Sequence, residues 1–128
     1  MAILLDTNVV INLRDKNQAI TEKIAGLDGA LMISIISRVE LENGVYREPR
    51  LAAIRRPRLD AILAFLPILP FDDAAADAYR GIVEAAGYSR RKLLDRMIAA
   101  QALVHRARLV TMNGEDFRDV PGLELLEW

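Results

Sequence analysis

Ala2-Ile3-Leu4-Leu5-Asp6-Thr7-Asn8 is the stretch on which the reading of this chain turns. An unbroken apolar run leads into one carboxylate, and two small polar residues follow it. Such a run, bounded by polar residues, predicts a strand buried on both faces, as in a parallel α/β sheet. Asp6 then stands at the carboxyl end of a central strand, where open α/β sheets place their ligands. Taken alone, the same carboxylate serves equally well as the cap of a following helix. The rest of the chain has to decide between the two.

Outward from Asp6, residues 9–14 predict a short helix capped by Thr7 or Asn8, and Gln18 to Leu27 a second one closed by Asp28-Gly29. Ala30 to Ile36 is the second apolar run and the second strand; Ser37 starts a helix with Glu40 in its first turn. Gly44 inside that helix points to close packing there. Pro49 and Pro57 divide the next region into two helical pieces, Leu51 to Arg56 and Leu59 to Leu66. Pro67 to Phe71 suits an edge strand. Asp72 to Ala86 is an Ala-rich helix capped by Asp72 or Asp73 and closed by Gly87. Leu93 to Ala107 is a helix with Met97, Ile98, Ala102 and Val104 toward its buried side. Strands over Leu109 to Met112 and Glu124 to Trp128 complete the pattern. Strands alternating with helices predict an α/β fold with a mainly parallel sheet of four or five strands between two helical layers.

Composition narrows the function. At 128 residues the chain is expected to form one domain. It is 52% hydrophobic and 27% charged, ordinary for a soluble globular protein, and no apolar run reaches the ~20 residues of a membrane span. No membrane association and no secretory leader are expected, because the first apolar run lacks a basic start and stops at Asp6. Cysteine is absent, which excludes disulfides and thiolate metal sites and makes a reducing cytoplasm the expected location. A net charge of −1 excludes a globally basic nucleic-acid binder, so any RNA or DNA must be attracted by local patches or by metal ions.

The acids supply the chemistry. Asp6 ends the first strand, Glu40 follows the second, Asp95 opens a helix, and Asp116 follows the Leu109 to Met112 strand. In a parallel α/β sheet these positions share one rim. Each has an ordinary alternative: a cap for Asp6, helix-dipole acids for Glu40 and Asp95, turn chemistry for Asp116. Their joint placement carries the inference. Carboxylates gathered on one rim repel unless neutralised, and oxygen donors without His or Cys select Mg²⁺ or Mn²⁺. Such clusters commonly serve phosphodiester hydrolysis.

In order along the chain, Leu5-Asp6-Thr7-Asn8, Ser37 to Gly44, Asp95 to Ala100 and Thr111 to Phe117 closely resemble the motifs of PIN-domain ribonucleases. More narrowly, the chain resembles the VapC-type toxins of bacterial type II toxin–antitoxin pairs, down to Val120-Pro121-Gly122-Leu123 and Trp128. The resemblance implies a three-layer PIN-like fold with Asp6, Glu40, Asp95 and Asp116 as an acidic Mg²⁺ or Mn²⁺ pocket. Asp6 and Asp95 match the most direct ligands; Thr7, Asn8, Thr111 and Asn113 match supporting positions. It further implies cleavage of RNA, a homodimer, and a small antitoxin whose C-terminal tail covers the pocket, often with an Arg among the acids. One departure stands out: where many relatives carry Ile-Gly before the Asp95 motif, this chain has Arg91-Lys92.

Arg90, Arg91, Lys92 and Arg96 flank Asp95 and are read as RNA-gripping candidates, the alternative being a solvated face. Arg50, Arg55, Arg56 and Arg58 read as a solvated face, or as an antitoxin or dimer contact. His105 takes no catalytic role, and Tyr46, Phe65 and Phe71 read as core or interface rather than base-stacking platforms. Four rival functions share parts of this pattern. A receiver domain of two-component signalling needs paired acids after its first strand and a Lys after its last, and neither is present. A catalytically silent RNA- or protein-binding PIN module does not require all of the acids, which this chain keeps. A PIN-like RNA-processing nuclease that is not a toxin uses the same site. A DNA nuclease uses the same metal chemistry, and only a contact to the 2′-hydroxyl separates it from an RNA-cutting one.

Overall fold

Leu5 lies in register with Ile33 on one side and Val110 on the other, so the first strand occupies the middle of the sheet. The computed structural model describes all 128 residues. The strands are β1 (Ala2–Leu5), β2 (Ala30–Ser34), β3 (Ile68–Leu69), β4 (Arg108–Thr111) and β5 (Leu125–Glu127), ordered β3-β2-β1-β4-β5. Every pairing is parallel. The chain builds outward from β1 to β2 and β3, then crosses back to lay β4 and β5 on the other side. The order therefore reverses at β1 and β4, and the carboxyl ends of strands at such a reversal are where open α/β sheets place their ligands.

The helices are α1 (Thr7–Arg14), α2 (Gln18–Ala25), α3 (Ile35–Arg47), α4 (Ala52–Phe65), α5 (Asp73–Ala86) and α6 (Leu93–His105). Alternation along β1 feeds both layers: Ile3 and Leu5 join a core with Val9, Ile33, Leu41 and Leu59 on one face. Leu4 joins Ile82, Ile98, Ala99 and Phe117 on the other. Burial on both sides is why the first run carries no polar alternation. On α6, Ala99, Ala100 and Ala102 are wholly buried, and their small side chains let that helix sit close to the sheet. No helix is long and apolar enough to cross a membrane.

Several expectations shift in detail. The second strand ends at Ser34, not Ile36, because the Ser34 hydroxyl accepts the Ile36 N–H and caps α3 there. Glu40 consequently falls in the second turn of α3 rather than the first. The first helix is capped by Asp6, and Thr7 and Asn8 lie inside it. Residues 52–65 form one continuous helix despite Pro57, with a short 3₁₀ turn at Pro49–Leu51, where two pieces were expected. Leu59 at zero exposure and the half-buried Ile62 anchor that helix on the core, and this packing outweighs the hydrogen bond lost at Pro57. Tyr46 and Phe65 are exposed rather than core, Val104 lies at the surface margin, and Phe71 packs at the edge of the second core. Gly44 answers to close packing: a Cβ there would stand 3.1 Å from Arg14 Nη1.

Candidate functional site

Asp6 is only 3% exposed, yet it ends β1 at the reversal of strand order. Its Oδ1 accepts the Thr7 N–H at 2.8 Å and its Oδ2 accepts the Thr111 hydroxyl at 2.8 Å. Capping and site-building thus coexist in one side chain. Thr111 ends β4, and its oxygen also accepts the Asn113 N–H at 3.0 Å, which fixes the start of the loop leading to Asp116.

Glu40 reaches the same rim from α3, where its Oε1 accepts the Thr7 hydroxyl at 2.7 Å. That hydroxyl has one proton and gives it to Glu40, so the Ser37 hydroxyl, 2.8 Å away, donates to Thr7. Ser37 is buried in this chain of donors and was not singled out from sequence. Its signal was only a small polar residue after an apolar run. Asn8 is half-buried and offers its backbone carbonyl to Asn12 Nδ2. Asn113 is exposed and supports the loop through its backbone alone.

Asp95 stands in the first turn of α6, half-buried, and Asp116 in a short 3₁₀ turn (Gly114–Asp116) after β4. The four carboxylates lie within electrostatic range of one another. Burial raises the Asp6 pKa against the hydrogen bonds from Thr111 and Thr7, and the charges of Glu40 and Asp116 add to the rise. Asp95 is pushed up to about 6, first by burial, then by Asp6, Asp116 and Glu40. These shifts record negative charge that the chain itself does not neutralise. The one cation at the cluster is Arg91, whose Nη1 donates to Asp116 Oδ1 at 3.2 Å from a side chain 71% exposed.

As the side chains stand, no three of the acids converge tightly enough to enclose an ion together. Their chemistry nonetheless fits a hard divalent cation: all donors are carboxylate oxygens, and positive charge would relieve the raised pKa of Asp6 and Asp95.

The basic cluster divides. Arg90 and Arg91 are exposed, and Lys92 is half-buried with Nζ 3.2 Å from Asp119 Oδ2. Arg96 corrects the expectation. At 2% exposure, with Nη2 donating to Asp119 at 3.1 Å and Nη1 to the Gly87 carbonyl, it is out of reach of RNA. In the other basic group, Arg56 forks onto Glu42 and Arg55 donates to the Gly44 carbonyl. His105 is exposed in the last turn of α6, at the end away from Asp95.

Residues 3–123 match the family model described as the PIN domain. Ribonuclease VapC1 of Rickettsia felis (strain ATCC VR-1525 / URRWXCal2) is 29% identical over 133 residues, covering 98% of this chain and 96% of that protein. Among solved structures, VapBC2 from Rickettsia felis, bound to a DNA fragment from their promoter, shares 27% identity at a TM-score of 0.85. That match covers 100% of this chain and 99% of the other. VapBC-5 from Mycobacterium tuberculosis, a member of the VapBC family of toxin-antitoxin systems, shares 25% identity at a TM-score of 0.75. There the coverage is 99% of this chain and 98% of the other.

Proposed function

The chain belongs to the PIN domain family, and from that footing we propose that it is an Mg²⁺- or Mn²⁺-dependent endoribonuclease, the toxin of a toxin–antitoxin pair. The observation that carries this reading is the gathering of Asp6, Glu40, Asp95 and Asp116 from four separate segments, where burial raises the pKa of Asp6 and Asp95 and the charges of the neighbouring acids add to the rise. A similar protein named as a ribonuclease supports RNA as substrate, and a similar member of a toxin-antitoxin family supports the toxin role.

Asp6 and Asp95 would hold the cation, with Glu40 and Asp116 adding negative charge around it. What a divalent cation supplies at such a site is activation of a water and neutralisation of charge on the phosphate. The chain does the rest. The Thr7 N–H and the Thr111 hydroxyl hold both oxygens of Asp6, fixing their direction. The Ser37–Thr7–Glu40 chain does the same for Glu40. Asp95 must surrender the proton it carries up to about pH 6. Arg91, which bonds Asp116 from an exposed side chain, and the exposed Arg90 next to it in sequence would meet RNA phosphates.

A protein partner has its own support. An open groove of about 320 Å³ runs between α1, α2 and α4, lined by Leu13, Ile24, Leu31, Ile62 and Leu66. Phe65 stands 85% exposed at it. Apolar side chains gathered in an open groove with Arg14, Lys16 and Arg58 among its lining suit a protein partner such as an antitoxin.

The test is cleavage of RNA by the purified chain with Mg²⁺ or Mn²⁺, against EDTA, Asp6→Ala and Asp95→Ala. Cleavage that persists in EDTA or in both variants overturns the metal pocket. Expression that leaves growth unaffected, with no relief to be gained from a neighbouring small protein, overturns the toxin role while sparing the nuclease.

A further inference from the structure

We propose that Arg96 is a positioning residue of the acidic site, tying the start of α6, which carries Asp95, to the end of α5 and to the loop that carries Asp116. The inference rests on the reading of those acids as a metal pocket and adds a residue to it.

Arg96 heads the fully buried side chains by volume. Successive helical residues point about 100° apart, so Asp95 faces the rim while Arg96 turns into the protein. There the guanidinium meets two other segments. Nη1 donates to the carbonyl of Gly87, the residue that closes α5. Nη2 donates at 3.1 Å to Asp119 Oδ2, three residues beyond Asp116. Lys92, preceding α6, bonds the same oxygen at 3.2 Å. Asp119 thus lies between two cations, and the connection from α5 to α6 is fastened to the loop after β4 by a buried guanidinium whose carboxylate partner reaches the surface. The Arg91–Asp116 contact joins the same two segments only at the surface.

A stabilising role alone explains this arrangement poorly. Arg96 Nε is buried with no acceptor. Burying a charge with an orphaned donor is a weak way to gain stability when a methionine of similar length fills the space without desolvating a charge. What methionine lacks is a rigid fork that bonds a carbonyl and a carboxylate together and so fixes two segments against each other. The distance between Asp95 and Asp116 depends on that fixing.

The experiment uses the full chain with Mn²⁺ as probe. Mn²⁺ affinity is measured by calorimetry, together with kcat and KM for RNA cleavage and the melting temperature, for wild type, Arg96→Met, Arg96→Lys and Asp119→Asn. Arg96→Met and Asp119→Asn, assayed well below their melting temperatures, are expected to lose about tenfold to a hundredfold in Mn²⁺ affinity. In both, kcat should fall while KM for RNA stays within about twofold, since supporting residues act on the metal site rather than on substrate binding. Arg96→Lys should recover part of the affinity by keeping a cation on Asp119. Folded variants that bind Mn²⁺ as wild type does, with only a lower melting temperature, overturn the inference. A raised KM with unchanged Mn²⁺ affinity overturns it too, by returning Arg96 to RNA. Should Arg96→Met fail to fold, Asp119→Asn decides, because it alters the more exposed partner. A wild type that takes up no Mn²⁺ overturns the pocket and this inference together; equal binding by wild type and variants overturns only the latter.

Discussion

Asp95 keeps its proton up to about pH 6 because burial, then Asp6, Asp116 and Glu40, disfavour its charge. Its folded-state pKa lies above the ordinary value of 3.8, so the folded chain binds this proton better than the unfolded one. The resulting stability is fully present below pH 3.8 and is lost as pH rises through about 6 in cation-free protein. Asp95→Asn should therefore raise stability at pH 8 by roughly 1–2 kcal/mol, after allowance for partial solvent screening, and change it little at pH 4. Urea titrations at the two pH values read this, and a loss of stability at pH 8 contradicts it. The same proton competes with a cation. Mn²⁺ affinity should fall about tenfold per unit below about pH 6, as calorimetry would record. Thr111 is the second residue to test. Thr111→Val leaves Asp6 Oδ2 and the Asn113 N–H without their partner, and should cost about 10- to 100-fold in metal affinity or turnover. A Thr111→Ser variant, which keeps the hydroxyl, should recover most of it.

Among the elements, α6 does two jobs. Its first turn carries Asp95 and Arg96, and its middle holds the sheet together through Gln101. Gln101 Nε2 donates to the carbonyls of Leu69 and Pro70 at 3.0 Å each, and its Oε1 accepts the Ser34 hydroxyl. One amide thereby joins the cap of α3 to the end of the edge strand β3. Gln101→Leu strands these groups in a buried place and should cost about 2–4 kcal/mol in chemical denaturation; a cost below about 0.5 kcal/mol shows that the network is dispensable. None of this was visible in the sequence, where Gln101 interrupts an apolar helix without comment. The elements themselves were largely legible. β1, β4, β5 and α5 follow from unbroken apolar runs, Ala-rich periodicity and the Asp72 and Gly87 boundaries. The junction of β2 with α3 was misplaced because Ile35 and Ile36 suit strand and helix alike, and a hydroxyl decided. Pro57 misled for the opposite reason: a strong local signal gave way to burial of Leu59.

At the level of the whole molecule, the parallel sheet converges four acids from segments up to 110 residues apart in sequence, Asp6 to Asp116. Their repulsion is a standing cost that a bound cation would remove. Saturating Mn²⁺ at about 100 times its dissociation constant should stabilise the chain by about 2.7 kcal/mol, a rise in melting temperature of roughly 10 °C for this size. Asp6→Ala combined with Asp95→Ala should abolish that rise, and differential scanning calorimetry with and without EDTA reads both. A rise that survives in the double variant places the cation elsewhere.

Local chemistry in the sequence determined a buried first strand ending in a carboxylate, the alternation of strands and helices, the absence of cysteine, and which acids fall near strand ends and helix starts. These follow from residue type and spacing, which a single chain displays openly. Tertiary structure alone decided which polar groups serve the acids and which basic residues face solvent. Thr7, Ser37 and Thr111 became donors to the site only when β1, α3 and β4 were brought side by side. Arg96, indistinguishable in sequence from its basic neighbours, was turned inward by the helical step from Asp95 and met a carboxylate 23 residues away. A side chain's direction depends on what packs around it, and that is settled between segments, not within one.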